Sequence, residues 1–101
     1  HVARIDMSKQ TSGSKIRAVA TVTVVGASNN PVSGVTIYGH WSGLVSDFDS
    51  GVTDSLGKVK LYSDWKRRAS GTFTFTADNL VKSGWVYDSA ANVETSDSIT
   101  V

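Results

Sequence analysis

Apolar and polar side chains alternate with a period of two along most of this chain, the rhythm of half-buried β-strands. In residues 15–25, "KIRAVATVTVV", the even positions Ile16, Ala18, Ala20, Val22 and Val24 are apolar, while Arg17, Thr21 and Thr23 are polar and Val19 is the exception. "GVTIYGHWSG" sets Val35, Ile37 and Trp41 on one side and Thr36, Tyr38 and His40 on the other. "KVKLYS" turns Val59 and Leu61 inward, with Lys58, Lys60 and Tyr62 outward. "GTFTFTADNL" opposes Phe73 and Phe75 to Thr72, Thr74 and Thr76. "VARIDMS" reads as the first strand, and "GWVYDS" and "SDSITV" as the last two.

Breakers separate these runs. "GASNNPVSG" holds the single proline, Pro31, between asparagines and glycines, and "TDSLGKV" predicts a tight hairpin opened by Asp54, with Gly57 free to take positive φ. No segment carries a helical period. Seven or so short strands about ten residues apart predict one all-β domain over residues 1–101, a sandwich or small barrel.

Composition agrees: Val, Thr, Ser and Gly are abundant, and Glu94 is the one glutamate. A chain of 101 residues can bury one core, and with no cysteine its stability rests on burial and sheet pairing. Net charge is +1, which argues against a nucleic-acid partner, since such domains carry a strong basic excess. No run of eighteen apolar residues is present to span a membrane. No signal peptide is evident, and the abrupt start suggests a mature product or an excised module.

Three segments in order carry a resemblance: "NNPVSGVTIYGHWSG", "VTDSLGKVKLYS", and "ASGTFTFTADNL" followed by the Tyr-Asp-x-Ala-Ala-Asn stretch at 87–92. Together, over residues 15–101, they resemble the bacterial immunoglobulin-like (invasin-type) modules of secreted and cell-surface multidomain proteins. The resemblance implies an Ig-like Greek-key β-sandwich of seven to eight strands, beside peptidase or polysaccharide-degrading domains or stacked in adhesins. No catalytic residue belongs to that pattern. Similar domains carry a short basic run before the Thr-Phe-Thr-Phe segment, so Lys66, Arg67 and Arg68 are expected to be solvated charges at a sandwich end.

Candidate chemistry is sparse. His1 and His40 are the only histidines, and no Gly-x-Ser-x-Gly elbow accompanies them, so an enzyme is not expected. "DFD" at Asp47 and Asp49 reads as a solvated loop. Calcium is the metal the acids would suit, through Asp47, Asp49 and Asp54, or through Asp78, Asp88, Asn92 and Asp97 converging at one sandwich end. Neither set has an EF-hand spacing, and turn-forming carboxylates are the plainer account. Carbohydrate binding would use Tyr38, His40, Tyr62 and Trp65, provided that the strands of Tyr38 and Tyr62 share a sheet. Lys58 and Lys60 would then favour an anionic glycan. Trp65 is expected to cap the open end of the core, and Trp85 and Tyr87 to lie within it.

The sequence therefore predicts a monomeric, extracellular, non-catalytic module whose partners are neighbouring domains of its parent chain. A carbohydrate-binding module and an adhesin repeat are the alternatives.

Overall fold

The computed structural model describes residues 1–87 and 91–101. Eight strands form two antiparallel sheets: β1 (Val2–Ser12), β2 (Lys15–Val24), β3 (Thr36–Gly43), β4 (Asp47–Val52), β5 (Lys58–Tyr62), β6 (Lys66–Arg67), β7 (Thr72–Val81) and β8 (Ser96–Thr100). The first sheet runs β1-β2-β5, with β6 pairing β2 beyond the end of β5; the second runs β4-β3-β7-β8. The chain changes sheet after β2, after β4 and after β6, so non-consecutive strands become neighbours and the sandwich is a Greek key of the Ig-like kind.

Alternation places the core as the sequence predicts. Ala18, Ala20, Val22 and Val24 of β2 face Ile37 and Trp41 of β3 and Phe73 and Phe75 of β7 within one buried cluster. Trp41 is its largest fully buried side chain and meets the Phe75 ring edge-on, with centroids 5.1 Å apart at 61°. Gly39, between Ile37 and Trp41, leaves room for that ring: a β-carbon there would lie 2.4 Å from Phe75 Cζ.

The predicted hairpin at residues 53–59 is a crossover instead. It joins β4 of one sheet to β5 of the other, because β5 pairs with β2. Its turn chemistry is as expected: Asp54 Oδ1 accepts from Leu56 N and Lys58 N, and Gly57 sits at φ +73°. Asp54→Ala should cost about 1 kcal/mol, the net worth of such bonds, read as a lowered urea midpoint with an unchanged slope. Beside this turn Thr53 is buried; its hydroxyl accepts from Val35 N at 3.0 Å and donates to Val32 O at 2.7 Å. One side chain thus ties the Pro31 loop to the crossover.

Two further expectations change. Residues 47–52 are not a loop but the edge strand β4, which alternation could not reveal because nearly all its side chains are exposed. Residues 84–87 are no strand: Trp85 N donates to Lys82 O in a turn, so no ladder exists for the rings to alternate on. Trp85 is consequently 53% exposed rather than central, its ring lying over Gly26, and Tyr87 is half-buried at the core's margin.

The strands run along a body of 43 × 24 × 19 Å. At one pole lie the start of β1, the end of β2 and the start of β3; at the other lie the β1–β2 turn, the end of β3 and the end of β8. β1 begins opposite Val24, whereas β8 ends opposite Thr72, so the path through the domain runs from pole to pole. The segment after β7 returns along β1: Asn92 Oδ1 accepts from Val2 N at 2.7 Å, and Glu94 Oε2 accepts from Ile5 N at 2.6 Å. No helix among the described residues is long and apolar enough to cross a membrane.

Candidate functional site

The four residues proposed for sugar stacking do not form one platform. Tyr38 and His40 lie on β3 in the second sheet, while Tyr62 ends β5 in the first and Trp65 follows it, so the two pairs face opposite sides of the sandwich. The condition set by the sequence, both tyrosines in one sheet, is not met. Each pair has acquired partners that alternation could not forecast.

On the first sheet's outward face the Arg17 guanidinium lies between two rings, its carbon 4.4 Å from the Tyr62 centroid and 4.6 Å from that of Trp65. Arg17 Nε donates to Gln10 Oε1 at 2.8 Å. Trp65 therefore covers a cation on a sheet face and remains 40% exposed, rather than capping the core's end. The arrangement also explains Val19, the one apolar residue on the polar row of β2. It stands directly across from Tyr62 and is 4% exposed, so its burial occurs outside the main core. Ser63 fixes the chain between the two rings: its buried hydroxyl accepts from Ala18 N at 2.8 Å and donates to Asp64 O.

On the opposite face His40 Nδ1 lies 2.8 Å and 3.0 Å from the two oxygens of Asp78. The pairing register skips Asp78, with Tyr38 opposite Asn79 and Gly39 opposite Ala77, and this bulge brings the carboxylate to the histidine. The exposed Phe48 ring stands edge-on to His40 at 6.4 Å. Nothing in the spacing of residues 40 and 78 signals the dyad, because it depends on a bulge. Both members are open to water, and among the described residues no hydroxyl hydrogen-bonds to the imidazole.

The basic run also departs from a plain loop. Lys66 and Arg67 form β6 against Ile16 and Lys15, and Arg68 takes φ +50° with its N–H donating to Ser14 O. Their side chains are exposed, as expected. Of the proposed calcium ligands, Asp88 lies outside the described residues. The other three are separately engaged: Asp78 with His40, Asn92 with Val2 N, Tyr87 and Thr95, and Asp97 with Ser98 N. Asp47 and Asp49 likewise accept from the next residue's N–H, at Phe48 and Ser50. No group of three or more His, Cys, Asp or Glu converges among the described residues.

The fold places the chain among all-β proteins built as a two-sheet sandwich. No protein-family model matches it, and neither a curated protein nor a solved structure matches significantly.

Proposed function

We propose that the chain is a non-catalytic accessory module of a secreted or surface bacterial multidomain protein, of the bacterial immunoglobulin-like type. In this role it holds a neighbouring domain, such as a peptidase or polysaccharide-degrading domain, at a set distance and orientation. The observation that carries the proposal is the pole-to-pole path, with β1 starting at one end and β8 finishing at the other of a body 43 Å long. A sandwich traversed in this way works as a strut, because its ladders and core resist relative motion of the two poles. The three loop ties through Thr53, Asn92 and Glu94 stiffen the pole at which β1 begins.

The test is excision from the polypeptide that carries the module, with a Gly/Ser linker of equal residue count in its place. Such a linker is a flexible coil, so spin labels on the flanking segments should give a broad distance distribution where the intact module gives a narrow one. Equal widths for both constructions of the chain would overturn the proposal.

A further inference from the structure

The net charge of +1 conceals a segregation between the two faces. On the outward rows of the first sheet lie Arg4, Lys15, Arg17, Lys58, Lys60 and Arg67, against the single carboxylate Asp6. Arg4 and Asp6 already pair at 2.8 Å, and the hydrogen bond that Arg4 donates to the Asp6 carboxylate, followed by that group's charge, raises the Arg4 guanidinium above its ordinary value. Among the described residues, the other five cations have no carboxylate within ion-pair reach. The outward rows of β3, β4, β7 and β8 hold no Lys or Arg at all.

The five cations form a track. Lys58 stands opposite Thr23 and Lys60 opposite Thr21; Arg17 follows beyond Val19, and Lys15 lies opposite Arg67. Thr23 to Lys15 spans eight residues of one strand, about 27 Å at the usual rise of about 3.4 Å per residue. The Arg17 guanidinium sits toward the Lys15 end, two residues from it, held between Tyr62 and Trp65 with its Nε engaged. A guanidinium so clamped has lost rotamer freedom before any ligand arrives, and its remaining N–H groups suit a planar anion. At the Lys58 end Thr23 lies on the same row; its hydroxyl oxygen is buried and, among the described residues, has no hydrogen-bond partner.

We infer that this face binds an acidic polysaccharide, a chain bearing uronate carboxylates or sulfates, laid along β2 and β5. Arg17 receives an anionic group, and Lys58, Lys60, Lys15 and Arg67 pair with those before and after it. The outer surfaces of Tyr62 and Trp65 receive the C–H faces of the intervening sugars. The net charge of only +1 favours this partner over nucleic acid, whose binding domains carry a strong basic excess. This binding is separate from the strut role, which concerns the poles, so either can fail alone.

The test is titration of the 101-residue chain at low salt with polygalacturonate, with heparin, with a neutral mannan and with oligo(dT), followed by tryptophan fluorescence and calorimetry. Binding to polygalacturonate or heparin that falls steeply with added salt is expected, and which of them binds tells carboxylate from sulfate recognition. Lys58→Gln with Lys60→Gln, two exposed changes, should weaken it about tenfold. Arg17→Lys, which keeps the charge but loses the planar fork, should weaken it severalfold with the fold intact by circular dichroism. No binding to either acidic glycan, equal binding to mannan, tighter binding to oligo(dT), or full affinity in both variants would each overturn the inference.

Discussion

Replacing Trp41 by alanine is expected to remove about 3–5 kcal/mol of stability, the usual loss for a buried Trp or Phe truncated in a core. Trp41 is 1% exposed, packs edge-on against Phe75, and touches both sheets' contributions to the single core cluster. A domain of this size has about 5–15 kcal/mol in total, so the variant should be marginal at room temperature. Trp41→Phe should retain more than half of the difference, because a ring still fills most of the space and only the weak indole contact to Asp49 Oδ2 at 3.4 Å disappears. Urea unfolding followed by far-ultraviolet circular dichroism measures both. A loss under 1 kcal/mol for the alanine variant would mean that the core is not centred on this ring.

The second large effect is expected at a polar residue. Thr53→Val preserves shape and removes one hydroxyl, leaving the Val35 N–H and the Val32 carbonyl without partners in a buried setting. Each unsatisfied buried group costs about 1–3 kcal/mol, so a loss of about 2–4 kcal/mol is expected. Thr53→Ser, which keeps the hydroxyl, should lose about 1 kcal/mol or less, in keeping with removal of one methyl group. If valine and serine variants unfold at the same urea concentration, the hydroxyl is not what joins the two loops.

Those two positions mark the boundary between what the sequence could and could not disclose. Trp41, Phe73 and Phe75 were legible because a strand with one dry face must alternate, and the rule holds at each of them. Residues 47–52 were not, since an edge strand exposed on nearly all sides has no dry face to alternate against. The segment 84–87 misled in the opposite direction: large rings next to Val86 imitate a strand, yet a turn from Lys82 leaves them at a pole. Crossover and hairpin share the same turn residues, so Asp54 and Gly57 foretold the bend but not which sheet received the next strand. Tyr38, His40 and Tyr62 lie outward as alternation places them, whereas Trp65, expected at the core's end, lies over Arg17; the companions of all four come from distant sequence. Arg17 joins Tyr62 and Trp65 across 45 residues or more, and Asp78 reaches His40 only because the register slips by one. Such pairings depend on sheet order, about which a period of two carries no information.

The capping of β1 by Asn92 and Glu94 matters for how such a chain behaves in company. A bordering strand with open N–H groups offers a template onto which another molecule can add, and the hazard grows when many copies are tethered or concentrated together. Here the sole glutamate and a neighbouring asparagine occupy the Val2 and Ile5 donors from within the same molecule. Intermolecular strand addition at the Val2–Ile5 end of that border would first have to strip away the domain's own side chains, which favours correct folding of each copy when several lie in a row.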